Sequence, residues 1–267
     1  MTIGIVRSLA LALMLQVAFV TRSFSQEQKS YDELKSFSKW SIVAGPVLFD
    51  KATLSPQYGD LSFDNKPIIG FNAGFEYDFY PEKKWSLNTG LLIGLEPIYN
   101  LKVSIDIKDL YQTYESDVVV KTRKYSIISF STPILVRLNI QALRKLFLNF
   151  STGLKVVYFP TGESELYITI VNEDDTESRQ VFGLRLKSPE NAFQGSFVIG
   201  TGCSYALDKV LLKANLVYVM NFQNTISGEY QFGNLFSSPP TRGYYNLSGN
   251  YLGLLFSASL KKGWGKR

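Results

Sequence analysis

The sequence predicts an all-β protein, namely an eight-stranded antiparallel up-and-down transmembrane β-barrel with long extracellular loops and short periplasmic turns. Residues 146–158 carry the clearest signal, because large apolar side chains alternate there with small or polar ones. Side chains on a strand alternate between its two faces, and a tilted stretch of about 9–11 such residues crosses a bilayer. The pattern recurs in seven further segments, and the connections between segments alternate between short and long.

The N-terminus has the features of a secretory signal peptide. Arg7 gives a positively charged start, and residues 8–20 form an apolar run too short to cross a membrane as a helix. Ser23 and Ser25 are small residues at the positions that precede a cleavage site. The predicted organisation is a signal peptide at 1–25, a periplasmic N-terminal segment at 26–39, the barrel at 40–260 and a periplasmic C-terminal tail at 261–267.

Each predicted strand has one continuous face of bulky apolar side chains. The opposite face carries small and polar residues such as Gly70, Asn72 and Ser129. A soluble barrel would have the reverse arrangement, so the pattern indicates lipid outside and a narrow, polar lumen that cannot form a dry core. The predicted strands are residues 40–48, 67–79, 85–95, 125–140, 146–158, 193–205, 210–222 and 250–260.

Short turns on one side and long loops on the other are typical of outer-membrane barrels. An even number of strands places both chain ends on the side of the short turns, so an exported N-terminus puts the long loops outside the cell. Two of these loops contain strand-like pairs that we expect to extend the barrel above the membrane as hairpins. The pairs are 101–107 with 118–123 and 165–171 with 179–187, and the long loops are 49–66, 96–124, 159–192 and 223–249.

The composition argues against several classes of chemistry. The chain has no histidine, which removes His-dependent catalysis and His metal ligation, and the single Cys203 cannot form an internal disulfide. The carboxylates at 173–175 and Glu177 lack calcium-loop spacing and are expected to form a solvated hairpin tip. The net charge is +5, and about +3 once Arg7 and Arg22 are removed with the predicted signal peptide, which is too balanced to indicate nucleic-acid binding. We expect no catalytic residue, metal site or cofactor, and predict that the protein is not an enzyme.

Charged residues on the lumen face form the first candidate site. Buried charges persist when they are paired, so we expect these residues to pair inside the barrel and to close it to ions. A gated solute pathway is the functional alternative. The residues are Glu76, Asp78, Glu96, Arg137, Lys155 and Lys213.

Aromatic residues form two further sets. Interfacial girdles are expected at the two membrane boundaries, with Trp40, Tyr77, Tyr80 and Trp85 at the periplasmic boundary and Tyr99, Tyr125, Tyr158 and Phe159 at the outer one. The last long loop supplies candidate contacts for a partner, since exposed aromatic side chains often anchor interfaces. Those candidates are Tyr230, Phe232, Phe236, Tyr244 and Tyr245.

The chain resembles the small outer-membrane β-barrel proteins of the Bacteroidota that are described as porin-family or PorT-like. The resemblance covers about residues 38–262 and rests on the signal ending in Ser25-Gln26, on the glycine-rich segment 70–77 and on the segment 131–137. It implies a location and a fold, and it implies little about activity. The C-terminal end departs from the commonest barrel terminus, because residues 261–267 follow the last strand where a terminal aromatic residue is usual.

These observations predict a non-enzymatic protein of the cell outer membrane. Its role would be structural or adhesive, or that of a subunit in an envelope complex for secretion or assembly, exerted through the extracellular loops. The expected partners are outer-membrane lipid and lipopolysaccharide, an envelope protein complex, and no nucleic acid. The alternatives are a small porin-like solute channel, which single-channel conductance would distinguish, and a secreted soluble barrel that binds an apolar ligand, which would be extracted without detergent.

Overall fold

The computed structural model describes residues 31–111, 114–122, 125–172 and 176–263, with only the backbone described for Asp32, Pro97 and Tyr125. The predicted signal peptide, the loop carboxylates at 173–175 and the last four residues of the predicted tail lie outside the described residues. In chain order the helix and strands are α1 (Asp32–Lys35), β1 (Trp40–Phe49), β2 (Thr53–Tyr58), β3 (Asp64–Asn65), β4 (Ile68–Phe79), β5 (Trp85–Tyr99), β6 (Leu101–Ile105), β7 (Val118–Lys121), β8 (Tyr125–Leu143), β9 (Leu146–Tyr158), β10 (Glu163–Val171), β11 (Ser178–Lys187), β12 (Phe193–Ala206), β13 (Val210–Asn221), β14 (Ile226–Phe232), β15 (Thr241–Leu247) and β16 (Tyr251–Leu260).

Eight of these strands form a closed antiparallel barrel, which confirms the predicted fold class. The order around the ring is β1, β4, β5, β8, β9, β12, β13 and β16, and β16 pairs back onto β1 through contacts such as Ile42 with Ala258. All eight predicted strands are present, and β5 and β8 are longer than predicted. Among the described residues, no helix combines the length and hydropathy needed to cross a membrane. We call the end with the short connections the lower end, and the opposite end the upper end.

The outer surface of the barrel is a belt of exposed apolar side chains. On β13, for example, Leu212 and Leu216 are exposed, whereas the alternate residues Lys213 and Asn215 are buried in the lumen. In water such a belt would be unfavourable, since large exposed apolar patches are rare on soluble proteins. The alternation therefore has the orientation expected of a barrel in lipid.

The lumen differs from the sequence-based expectation in one respect. Its middle layer is apolar, so the expectation that the lumen face could not form a dry core was wrong. An interior of eight strands is just wide enough to be filled by side chains, and branched apolar residues fill it here. The buried residues of this layer include Val43, Val47, Leu92, Leu135, Val198, Val217 and Leu255.

The other eight strands lie above the barrel, and we call this part of the structure the upper tier. Each strand continues the barrel strand beside it in the chain, so the upper tier repeats the circular order of the barrel. Its strands divide into a five-stranded sheet (β10, β11, β14, β15, β2) and a three-stranded sheet (β3, β6, β7). The two predicted hairpins are confirmed as β6–β7 and β10–β11. The strands β2, β3, β14 and β15 were not predicted.

The upper tier has its own apolar core, to which both sheets contribute. The core begins at the barrel rim with Ile98 and Phe159 and continues upward between the sheets. Phe63 forms edge-to-face contacts with Phe182 and Tyr230, at centroid distances of 5.4 and 5.2 Å. The long loops are therefore largely one folded body rather than separate mobile arms.

The lower end is covered by the segment that precedes β1. Leu34 and Phe37 are buried against the lumen-facing side chain of Phe147. The Tyr31 hydroxyl donates a hydrogen bond of 3.1 Å to the carbonyl of Asn139 on β8, and Phe37 forms a β-bridge with Lys261 just after β16. Since β8 and β16 lie on different sides of the ring, the segment crosses the opening between them.

The lipid belt predicts that an isoleucine and a valine of similar exposure respond differently to replacement by arginine. Ile134, 53% exposed, lies in the belt near the middle of β8, whereas Val119, 47% exposed, lies on β7 of the upper tier. Arginine near the bilayer midplane costs about 2–4 kcal/mol. In urea titrations on bilayer-embedded protein, Ile134→Arg should lower the free energy of unfolding by that amount, whereas Val119→Arg should change it by less than about 0.5 kcal/mol. Equal losses in the two variants would contradict the lipid belt.

Candidate functional site

Three charged side chains meet in the lower half of the lumen. Arg137 donates a hydrogen bond of 2.9 Å from Nη1 to Oδ1 of Asp78, and the Lys213 ammonium donates to Oδ2 of the same carboxylate. These residues stand on β8, β4 and β13, which are not neighbours in the ring. Asn88 on β5 also donates to Asp78, at 2.8 Å. Asp78 therefore ties separate walls of the barrel together across the lumen.

Glu76 completes this lower charge group. Its carboxylate is buried on the same strand as Asp78 and is close enough to Arg137 and Lys213 to interact with both electrostatically. Two acidic side chains then face two basic ones, so the numbers of acidic and basic groups match. Balance matters because a buried charge without a partner costs several kcal/mol.

The other two predicted lumen charges form a separate group near the upper end. Ser129 donates a hydrogen bond of 2.5 Å to Glu96. Lys155 forms its hydrogen bond with the Tyr251 hydroxyl, at 3.1 Å, rather than with Glu96, and its ammonium group lies 4.8 Å from the centre of the Tyr251 ring. Asn72 donates to the same hydroxyl at 3.1 Å. The six predicted lumen charges thus lie in two layers, one on each side of the apolar middle layer.

The described side chains leave little free space in the lumen. A cavity of about 30 Å³ lies between the two charge layers, bordered by Glu76, Arg137, Lys155 and Tyr251. A water molecule needs roughly 10–15 Å³, so the cavity has room for two or three waters. A space of this size does not accommodate a solute.

The predicted girdle residues do not all lie on the outer surface of the barrel. At the lower boundary Trp40, Tyr80 and Trp85 are exposed, and Tyr77 stacks edge-on against Trp40 at 5.0 Å. At the upper boundary Tyr158 is exposed and packs against Phe193 at 5.3 Å. Phe159 is buried in the core of the upper tier, which corrects its assignment to the girdle, and Tyr99 packs partly against that core. The side chain of Tyr125 lies outside the described part of the chain.

The predicted loop contacts divide into two groups. Tyr230 (1% exposed), Phe232 and Tyr245 (0% exposed) lie in the core of the upper tier, so they are not available as exposed anchors. Phe236 and Tyr244 are exposed. The alternation in the sequence did not reveal β14 and β15, and these strands direct Tyr230, Phe232 and Tyr245 into the core. The Tyr245 hydroxyl donates to the Ile98 carbonyl at 2.9 Å, and burial raises the pKa of Tyr245, so it remains a neutral donor.

The outer face of the five-stranded sheet carries a row of ion pairs that sequence reasoning missed. Arg185 donates to Glu165 at 2.5 Å, and Arg242 donates to Glu229. Arg185 and Glu229 are directly opposite across β11 and β14, so the four charges form a row across neighbouring strands. Two exposed tyrosines, Tyr167 and Tyr244, lie on the same face. Cross-strand register, which alternation within a strand does not reveal, brings these residues together.

A second unpredicted contact joins two long loops. Asp109 accepts hydrogen bonds from the backbone amides of Ser237 and Ser238, at 2.8 and 2.7 Å, and from the Ser238 hydroxyl at 2.6 Å. Burial alone would raise the pKa of the Asp109 carboxyl, but the bonds from Ser238 and Ser237 outweigh it and hold that pKa below its usual range. Next to this contact the Arg179 guanidinium lies 4.5 Å from the centre of the Phe236 ring.

Comparison with known proteins gives one family match and two structural likenesses. A family model described as outer membrane protein beta-barrel domain matches residues 24–227. The crystal structure of the outer membrane protein OprG from Pseudomonas aeruginosa is similar at 11% identity, with 84% of this chain and 96% of that chain covered and a TM-score of 0.40. The crystal structure of the outer membrane protease OmpT from Escherichia coli is similar at 8% identity, with 84% and 98% covered and a TM-score of 0.34. No curated protein sequence matches the chain.

The lower charge group predicts that replacing the Asp78 carboxylate by an amide strongly destabilises the protein. Asp78→Asn leaves Arg137 and Lys213 buried without the carboxylate that bonds both of them, which should lower the free energy of unfolding by on the order of 3–5 kcal/mol. The matched control is Asp208→Asn, because Asp208 is an exposed partner of Lys145 at 3.0 Å and its loss should have little effect. Urea unfolding in bilayers measures both changes. If Asp78→Asn were no more destabilising than the control, the lumen bridge would not be holding the barrel walls together.

Proposed function

This chain belongs to the outer membrane protein beta-barrel domain family, and we propose that its barrel is a closed membrane anchor for an upper tier that docks another component of the cell envelope. The observation that carries the proposal is the filled lumen. A protein that moves solutes needs a continuous path, whereas a protein that presents a surface needs a rigid support. The role is structural or adhesive, or that of a subunit in a secretion or assembly complex, and it is not enzymatic.

The lumen is closed at its lower opening, in its interior and at its upper opening. The segment with Leu34 and Phe37 covers the lower opening, the Asp78 group and the apolar layer fill the interior, and the core of the upper tier lies over the upper opening. Opening a passage would require the separation of each layer, including two buried ion pairs. This repetition supports an anchor rather than the porin-like channel, which is the alternative.

The orientation follows from export. An N-terminus that enters the periplasm and an even number of strands put the lower end in the periplasm and the upper tier at the cell surface. There the lipid belt contacts membrane lipid, and the exposed residues above the upper rim meet lipopolysaccharide. The outer-membrane location of the family removes the alternative of a secreted soluble barrel.

The outer face of the five-stranded sheet is the favoured docking surface. It combines the charge row of Glu165, Arg185, Glu229 and Arg242 with the exposed rings of Tyr167 and Tyr244. Tyrosine and arginine are enriched at the energetic centres of protein interfaces. Because the charges are already paired within the sheet, a partner would recognise a polar face of fixed geometry.

Site-specific photocrosslinking in living cells tests this role. A benzophenone amino acid at Tyr167 or Tyr244 should yield crosslinks to one discrete envelope protein, because both side chains lie on the proposed docking surface. The matched control is Ile199, which is similarly exposed but faces lipid on β12. The charge reversal Arg185→Glu, placed at the centre of the row, should reduce the product at Tyr244. Products from the two tyrosine positions no more abundant than those from Ile199 would contradict the proposal.

A further inference from the structure

Among the described residues, the wall of the upper tier is interrupted on one side, where two adjacent strands are not paired. Barrel neighbours β8 and β9 continue upward as β7 and β10, yet β7 and β10 do not pair with each other. The other unpaired junction, between β2 and β3, is bridged by the short connection of a single chain segment, whereas β7 and β10 belong to different long loops. Near the top of this gap the Tyr114 hydroxyl donates a hydrogen bond of 3.2 Å to the Val171 carbonyl. The foot of the gap lies just above the barrel rim.

A cavity of about 240 Å³ lies at the foot of this gap. Its inner wall is formed by the buried side chains of Ile98, Leu186 and Ile226, with Ile127 at the side. Its outer wall is the connection from β9 to β10, in which Thr161 is exposed. The cavity therefore has an apolar inner end and a polar mouth.

The mouth is held in place by short-range contacts. The amide of Gly162 donates a hydrogen bond of 2.6 Å to the Ser188 hydroxyl, and the Ser188 amide donates back to the Gly162 carbonyl at 3.0 Å. Glu163 forms an ion pair of 2.7 Å with Lys187 beside them. These contacts fix the position of the mouth, which presents hydroxyl, amide and charged groups.

We propose that this cavity binds the apolar end of a small amphiphilic molecule from outside the cell, with its polar head at the mouth. Size supports this class of ligand, because an engineered apolar cavity of about 150 Å³ already binds benzene, so the present one accommodates a short alkyl chain or a ring system. Position favours a free molecule over a membrane lipid, because the lining segment 160–164 follows the rim residue Tyr158 and lies above the girdle. The mouth borders the docking surface, because the Glu163–Lys187 pair lies two residues along the same strands from the Glu165–Arg185 pair. Binding inside the cavity does not depend on the proposed platform role.

Photolabelling of the full-length protein in lipid nanodiscs tests the site with azioctanol, a photoreactive analogue of octanol. Peptide mass spectrometry should locate saturable labelling on segments 160–164 and 186–188, and excess octanol should compete with it. Ile127→Trp, which fills the cavity from the side, should reduce this labelling roughly tenfold, as expected if binding is weakened by about 1.4 kcal/mol. The matched control is Ile128→Trp, because the neighbouring Ile128 faces lipid and is exposed.

A second variant keeps the test valid if Ile127→Trp does not fold. Thr161→Trp places a large ring at the exposed mouth and should also reduce labelling, and each variant is first shown to run as a heat-sensitive folded species on a gel. Labelling that does not saturate, that falls only on lipid-facing residues, or that is equal in Ile127→Trp and Ile128→Trp would overturn the proposed site. None of these outcomes bears on crosslinking at Tyr167 or Tyr244, so the two proposals fail independently.

Discussion

Closure of the eight-stranded ring is the constraint on which the rest of this structure depends. The hydrocarbon core of a membrane offers no partner for backbone N–H and C=O groups, so each must be paired within the protein. An open sheet would leave two unpaired edges in lipid. The pairing of β16 with β1 removes both of them, and the lipid-facing alternation of every barrel strand follows from that closed geometry.

A closed ring of only eight strands also fixes what the lumen can contain. Its interior has room for side chains and little else. Charged residues in this space must be satisfied by one another, and Asp78 achieves this by bonding Arg137 and Lys213 from separate walls. The same narrowness allows a short segment around Leu34 and Phe37 to cover the lower opening. Once the interior is full, the surfaces left for recognition are those of the upper tier, where the barrel strands continue into a body with its own core.

The barrel was predictable from sequence because its information is local: each strand shows its lipid face and its lumen face within about a dozen residues. The sequence indicated that the lumen charges would be paired, but it did not indicate the partner of each one. Lys155, for example, forms a hydrogen bond with Tyr251 where a carboxylate was expected. The upper tier was predictable only in its two hairpins. Strands β2, β14 and β15 are short, and Pro56, Gly228 and Gly243 interrupt their alternation, while their pairing depends on contacts between distant loops. For this reason Tyr230 and Tyr245 were expected on the surface but lie in the core.

Single-channel recording distinguishes a closed anchor from a barrel that conducts ions. Purified protein is inserted into a planar lipid bilayer, and insertion is verified by the heat-sensitive mobility of the recovered protein. A closed anchor should give no stable unitary conductance above the background of the lipid, because the covered lower opening, the paired charges and the apolar layer leave no continuous water path. Stable, large unitary steps from the folded protein would contradict it and would favour the solute channel instead.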